Sequence, residues 1–227
     1  MKKIFLIALL ICLGSFCEIS LAQPLVHVKH NAYNSYYDIA NRNPAVVVWL
    51  LDFDDFKGIL KPSSRRFKAD SQLPPPRVKD SDMKNSGYVR GHLCPAGDRD
   101  TDKALLKETY LTSNMSPMTM VCNSGPWKMV EDTCRVLAKR HGRMISAAGP
   151  IFLDESLGVY RINGISVPAA FFRIVRCTTH PDHVWIWIVQ NSWGESHPVR
   201  VSDEELQQVL HTRENIIHIL RYHGLIE

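Results

Sequence analysis

The sequence predicts an α+β fold around one sizeable core, and three observations carry that prediction. Apolar runs of strand length recur along the chain, several rich in β-branched and aromatic residues. Other segments repeat their apolar residues every three or four positions, as helices require. The two kinds of segment do not alternate regularly, which argues against a doubly wound parallel sheet.

Residues 1–22 read as an address rather than structure. Met1-Lys2-Lys3 is a short basic start, residues 4–13 carry no charge, and Leu21-Ala22-Gln23 places a small residue before a polar one. That is the layout of a secretory signal peptide cleaved after Ala22. Its apolar core is short for a membrane span of about 20 residues. Residues 23–227 are therefore expected to form a single domain. The expected product is secreted or periplasmic, with no stable membrane association once the leader is removed. Four cysteines follow the leader: Cys94, Cys122, Cys134 and Cys177. An even count in an exported protein permits disulfides, and spacing selects no pairing. No CxxC spacing argues for structural zinc. The formal net charge of +4 permits an anionic partner without demanding one.

Along the chain, residues 25–43 are polar and tyrosine-rich and read as an arm or short helix. Residues 45–51 (AVVVWLL) read as a buried strand. Residues 57–76, with Gly58, Pro62 and Pro74-Pro75-Pro76, read as a long surface loop that also holds Arg65, Arg66 and Lys68. Residues 103–110 predict a short helix. Residues 123–141 predict one long helix, because Trp127, Val130, Cys134, Leu137 and Ala138 form a stripe and Gly142 follows as a stop. Residues 144–148 predict a strand, Gly149-Pro150 a turn, and residues 167–177 and 183–189 further strands. Ser202 and Glu205 form a capping box that opens a helix through Leu210. A last helix is expected over residues 213–222, ending at Gly224.

Two constellations carry chemistry. In Tyr88-Val89-Arg90-Gly91-His92-Leu93-Cys94-Pro95, an arginine fork suited to phosphate lies two residues from a histidine able to take a proton near neutral pH. The glycine between them allows close backbone approach. Taken alone, a histidine beside an arginine is more often a surface or core residue. The second constellation is Leu111-Thr112-Ser113-Asn114-Met115-Ser116-Pro117, followed by Asn123, Trp127 and Glu131. The last three lie four apart, on one face of a helix. The side-chain oxygens of Asn123 and Glu131 are hard ligands suited to magnesium, although a helix cap and a solvated charge would leave the same spacing.

In this order, Tyr-x-Arg-Gly-His-Leu-x-Pro-Ala, Leu-x-Ser-Asn-Met-Ser-Pro and Asn-x-x-x-Trp-x-x-x-Glu resemble the DNA/RNA non-specific endonuclease family. Ala148-Gly149-Pro150-Ile151-Phe152 and Val167-Pro168-Ala169-Ala170-Phe171-Phe172 look like its later strands. The resemblance implies a ββα-metal (His-Me finger) endonuclease fold with a central, mainly antiparallel sheet. It implies a metal-dependent nuclease that hydrolyses phosphodiester bonds of DNA and RNA. His92 falls on the family's general base and Asn123 on its direct metal ligand. Glu131 falls on the carboxylate that anchors the metal's water shell, and Asn114 on the residue that steadies the active-site loop. Arg90 and Arg65 fall on its phosphate-facing arginines, with Arg66 a close competitor of Arg65. One Mg2+ (or Mn2+) per active site and contacts to the phosphate backbone follow from the same resemblance. A homodimer is compatible with it.

The chain departs from the family pattern at Val89, where an aspartate is usual, and at Met118, where glutamine is common. Cys94 stands where alanine is frequent, and the resemblance leaves room for a Cys94–Cys122 staple. Val89 keeps a catalytically impaired nucleic-acid-binding module in view. Asn191-Ser192-Trp193-Gly194 with His183 looks like the asparagine block of papain-type cysteine proteases. No cysteine here has the matching setting, so a strand end and turn is the expectation there.

Overall fold

The computed structural model describes residues 25–60, 66–152 and 159–227. The expected signal peptide, Cys12, Cys17 and Arg65 lie outside the described residues. In chain order the elements are β1 (Val26–Lys29), β2 (Asn34–Asp38), β3 (Asn43–Leu51), α1 (Asp80–Met83), β4 (Val89–His92), α2 (Lys103–Glu108), β5 (Met115–Met118), α3 (Met120–Ser124), α4 (Pro126–His141), β6 (Met144–Ile151), β7 (Arg161–Ile162), β8 (Ile165–Ser166), β9 (Ala170–Cys177), β10 (Val184–Gln190), β11 (Val199–Val201), α5 (Asp203–Val209) and α6 (Glu214–Tyr222). Seven strands form one sheet in the order β1-β2-β3-β6-β9-β10-β11, every neighbouring pair antiparallel. The expected α+β class with a central antiparallel sheet is what forms.

Strand β3 is apolar at almost every position because both faces of the sheet are covered. Val47, Trp49 and Leu51 share one core with Phe171 and Val175 of β9 and with Trp127, Val130, Cys134 and Ala138 of α4. Val46 and Val48 point the other way. They share a second core with Phe172 and Ile174 and with Leu206, Ile216, Ile217 and Leu220 from the C-terminal helices. Each buried valine, leucine, isoleucine or phenylalanine among them contributes roughly 1.5–3 kcal/mol by leaving water. The Ser202 capping box forms as predicted, with the Glu205 carboxylate 2.7 Å from the Ser202 amide.

Three expectations are corrected. Residues 25–43 form strands rather than a helix, and β2 pairs with β3 through a register shift at Tyr36/Tyr37. Gly149-Pro150 is not a turn, because β6 runs straight through it to Ile151. A side chain at Gly149 would lie 2.4 Å from the Ala45 carbonyl and 2.6 Å from the Phe172 ring, so glycine serves close packing there. The long helix is broken at Gly125. Its backbone leaves helical angles, and Pro126, which has no N–H to donate, starts α4 as its first helical residue.

Strands β4 and β5 form a separate two-stranded ribbon, and the chain passes from β5 through α3 into α4. This strand–strand–helix unit packs on the sheet face that α4 covers. Among the described residues, no helix is long and apolar enough to cross a membrane.

Candidate active site

The ribbon puts the first constellation opposite the second. Arg90 faces Pro117, Gly91 faces Ser116 and His92 faces Met115. Alternation along β4 turns Val89 and Gly91 toward the core and Arg90 and His92 to the other side. A side chain at Gly91 would meet Met118 at 2.6 Å. Met118, one of the departures, thus fills the space that the glycine leaves.

The backbone around His92 is held by side chains from three directions. Trp127 of α4 donates its indole N–H to the His92 carbonyl at 3.1 Å. Arg173 of β9 donates to the Leu93 carbonyl at 3.2 Å. Asn114 is fully buried. Its Oδ1 accepts from the Cys94 N–H at 2.8 Å, and its Nδ2 donates to the carbonyls of Cys94 and Thr109, each at 2.9 Å. The imidazole itself lies against aromatic rings, with Tyr110 edge-on at 5.0 Å and Phe67 at 5.7 Å between centroids. The parallel bridge between Lys68 and Leu111, with the Lys68 N–H donating to the Tyr110 carbonyl at 3.0 Å, brings Phe67 and Tyr110 together.

Asn123 sits one residue before the end of α3, whose first turn is capped by the Thr119 side chain. Its carboxamide is half-buried and makes no side-chain hydrogen bond among the described residues. Glu131 lies on α4, so the two stand on consecutive helices rather than on one. Glu131 keeps some surface exposure but is deeply surrounded. Burial pushes its carboxyl up to about 7, Asp98 adds to the rise, and Arg173 and Arg135 oppose it. A carboxyl in that condition is relieved by a nearby cation, and both side chains offer hard oxygen donors, so the pair fits a divalent ion. Among the described residues, no trio of His, Cys, Asp and Glu forms a metal cage.

Beneath Glu131 runs a buried charge layer for which the sequence offers only one hint, an arginine inside the apolar strand AFFRIVRC. Asp98 and Arg173 are both fully unexposed. Asp98 accepts from Arg135 at 2.7 Å, from the Trp49 indole at 3.1 Å and from Arg173 at 3.3 Å. The Arg173 guanidinium stacks on Trp49, 4.2 Å from the ring centroid.

The predicted arginines fare differently. Arg90 lies beside the Phe67 ring, 5.7 Å from its centroid, and pairs with Asp80 of α1 at 2.8 Å. A carboxylate therefore does orient this arginine, and it comes from position 80 rather than 89. Val89 packs on the core beside α4. Arg66 is exposed, next to Phe67.

The cysteine expectations are corrected. Cys94, Cys122, Cys134 and Cys177 are all buried and free, and no Cys94–Cys122 staple forms. Burial pushes the Cys94 and Cys122 thiols up to about 12, which keeps them protonated and unreactive. The papain-like block is a strand end: His183 precedes β10, and Asn191 follows it at the opposite end. Asn191 instead accepts from the Thr119 N–H at 2.8 Å and donates to the Pro117 and Pro168 carbonyls. A groove of about 450 Å³ along α4, lined by Gly125, Lys128, Met129, Asp132, Thr133 and Val136, does not include His92.

The family model for DNA/RNA non-specific endonuclease matches residues 17–223. Human mitochondrial nuclease EXOG is 29% identical over 168 residues, covering 67% of this chain and 45% of that protein. Mitochondrial nuclease 1 of Schizosaccharomyces pombe is 29% identical over 176 residues, covering 70% of this chain and 54% of that one. The chain thus spans about half the length of these relatives. A crystal structure of the EndoG/EndoGI complex, concerned with EndoG inhibition, superposes with a TM-score of 0.71 at 25% identity, covering 82% of this chain and 83% of that one. These relatives overturn the expected secreted or periplasmic location, since they are mitochondrial nucleases. The fold is that of the ββα-metal nucleases, and the chain belongs to the DNA/RNA non-specific endonuclease family.

Proposed function

We propose that this chain is a metal-dependent endonuclease that hydrolyses phosphodiester bonds of DNA and RNA, with residues 23–227 acting as one catalytic domain and His92 as general base. The observation that carries the reading is the clamped backbone at His92. Trp127, Arg173 and Asn114 each hold the chain there, which fixes the imidazole relative to Asn123 and Glu131 on the helices that follow. Family membership supports a nuclease that works with a divalent cation. Asn123 would hold that ion directly, with Glu131 acting through its water shell. Mg2+ or Mn2+ suits these oxygen donors and would supply charge stabilisation at the phosphate.

Neutral His92 removes a proton from a water molecule. The water oxygen attacks phosphorus as the bond to the leaving sugar oxygen breaks, and the leaving oxygen takes up a proton from solvent. Arg90, oriented by Asp80, and Arg65 or Arg66 offset the charge that builds on the phosphate oxygens. Contacts of this kind go to the backbone rather than to bases, so binding is non-specific and weakens with salt.

The test is digestion of plasmid DNA and of RNA with Mg2+ and with EDTA, by the wild type and by His92→Ala. Cleavage that needs the metal and is abolished in a folded His92→Ala protein is expected. Near-wild-type cleavage by that variant would sink the assignment, and intact plasmid with retained binding would mark a binding module.

A further inference from the structure

Resting on the nuclease reading above, we propose that exposed Trp193, propped against the tilted ring of Tyr88, is a stacking platform for an unpaired base of a single-stranded nucleic acid, on the same side of the ribbon as His92. Trp193 belongs to the one sequence block that the catalytic constellation left without a role.

Trp193 is 56% exposed, an unusual investment of a large indole in open solvent. Its ring lies 5.2 Å from the half-buried ring of Tyr88. Tyr160, 63% exposed, approaches Tyr88 from a different element at 6.3 Å. Three aromatic rings from three segments of chain thus meet at one surface point.

That point belongs to the candidate active site. Tyr88 immediately precedes β4, and a period of two places it on the side of Arg90 and His92. Packing agrees with the periodicity. Phe67 touches both His92 and Arg90, and Phe67 and Tyr88 pack against the same small core of Val78, Met83, Met115, Ile162 and Ile165. From Tyr88 to His92 the strand rises about 13 Å. A strand with a phosphate at His92 and Arg90 would therefore carry a neighbouring base toward Tyr88.

The platform is also held in place. Thr119 donates its hydroxyl to the Ser192 carbonyl at 2.6 Å and its N–H to the Asn191 side chain at 2.8 Å. Thr119 also caps the helix that bears Asn123, so one residue anchors both the platform and the candidate metal ligand. Aromatic faces stack on any base, which suits a nuclease without sequence preference. Bases inside a duplex are already stacked on their neighbours, so the platform favours unpaired nucleotides.

The test is equilibrium binding in EDTA, where turnover stops, read by fluorescence anisotropy on labelled single-stranded DNA and RNA oligonucleotides and on an abasic strand of equal length. Trp193→Ala is expected to weaken binding of both base-bearing strands about 5- to 50-fold and to leave the abasic strand within about twofold. Trp193→Phe restores most of the loss, and Tyr222→Ala, at an 82% exposed aromatic of α6, whose buried residues pack on the opposite sheet face, changes neither. Unchanged binding by Trp193→Ala, or an equal loss on the abasic strand, would overturn the platform. Wild-type protein that binds through Trp193 but cleaves nothing in Mg2+ would overturn the catalytic reading and leave the platform standing.

Discussion

Asp80 holds Arg90 at two points: its carboxylate lies 2.8 Å from the guanidinium and its backbone carbonyl accepts from the same group at 2.7 Å. Position 89 holds valine, so the orienting carboxylate reaches Arg90 from Asp80 at the start of a short helix, ten residues upstream of the arginine. Asp80→Ala is expected to lower kcat/KM for plasmid cleavage about 3- to 10-fold, as befits a half-exposed ion pair. Arg90→Ala is expected to cost about 100-fold, as loss of a donor to the reacting phosphate does. Steady-state cleavage kinetics would decide it. Faster cleavage by Asp80→Ala would show instead that Asp80 competes with the substrate for Arg90.

Glu131 sets stability against function. Its folded carboxyl titrates at about 7 because burial disfavours the charge, well above the ordinary value near 4.3. The stability that its neutral form allows is fully present below about pH 4 and is lost as pH rises through 7. Glu131→Gln in EDTA is therefore expected to be more stable than wild type at pH 8 by about 1–2 kcal/mol, solvent reaching part of the group, and equal to it at pH 4. With Mg2+ the same variant should lose about 10- to 100-fold in activity. Thermal melts across pH, with and without metal, test both halves. A variant less stable than wild type in EDTA at pH 8 would contradict the first.

Acid should loosen the segment that carries Phe67. Burial opposes ionisation of Asp70, but hydrogen bonds from His30 at 2.6 Å, from Ser113 and from the Gln72 amide outweigh it, and its pKa falls below the ordinary carboxylate value. The stability it contributes is present above about pH 4 and is lost as pH falls through the lowered value. Asp70→Asn should cost about 2–3 kcal/mol at pH 7 and should flatten the acid limb of the melting temperature between pH 5 and 2. A melting curve that keeps the wild-type acid limb would exclude this role.

The sequence carried the apolar central strands β3, β6, β9 and β10, because a run such as AVVVWLL has few other ways to bury both of its faces, but it did not reveal the polar strands β1 and β2 or the short ribbon strands β4 and β5. It also carried the capping box at Ser202, whose two hydrogen bonds depend only on local spacing. It misled where local signals have two meanings. Gly149-Pro150 reads as a turn when the glycine is there to let Ala45 and Phe172 approach. The stripe from Trp127 to Ala138 extends naturally back to Asn123, yet Gly125-Pro126 restarts the helix. In the candidate site, His92, Asn114, Asn123 and Glu131 were named from motif order. Phe67, Tyr110, Asp80, Asp98 and Arg173 were not, because each matters through a partner distant in sequence, and no local pattern encodes such a meeting.

The clamp on the His92 strand has a consequence for assembly. A two-stranded ribbon offers open edges, and an open edge invites a strand from another molecule. Here the carbonyls of His92, Leu93 and Cys94 are already taken by Trp127, Arg173 and Asn114. The side chains that steady the imidazole therefore also occupy three acceptors at and just past the end of β4, which closes those carbonyls to an incoming strand.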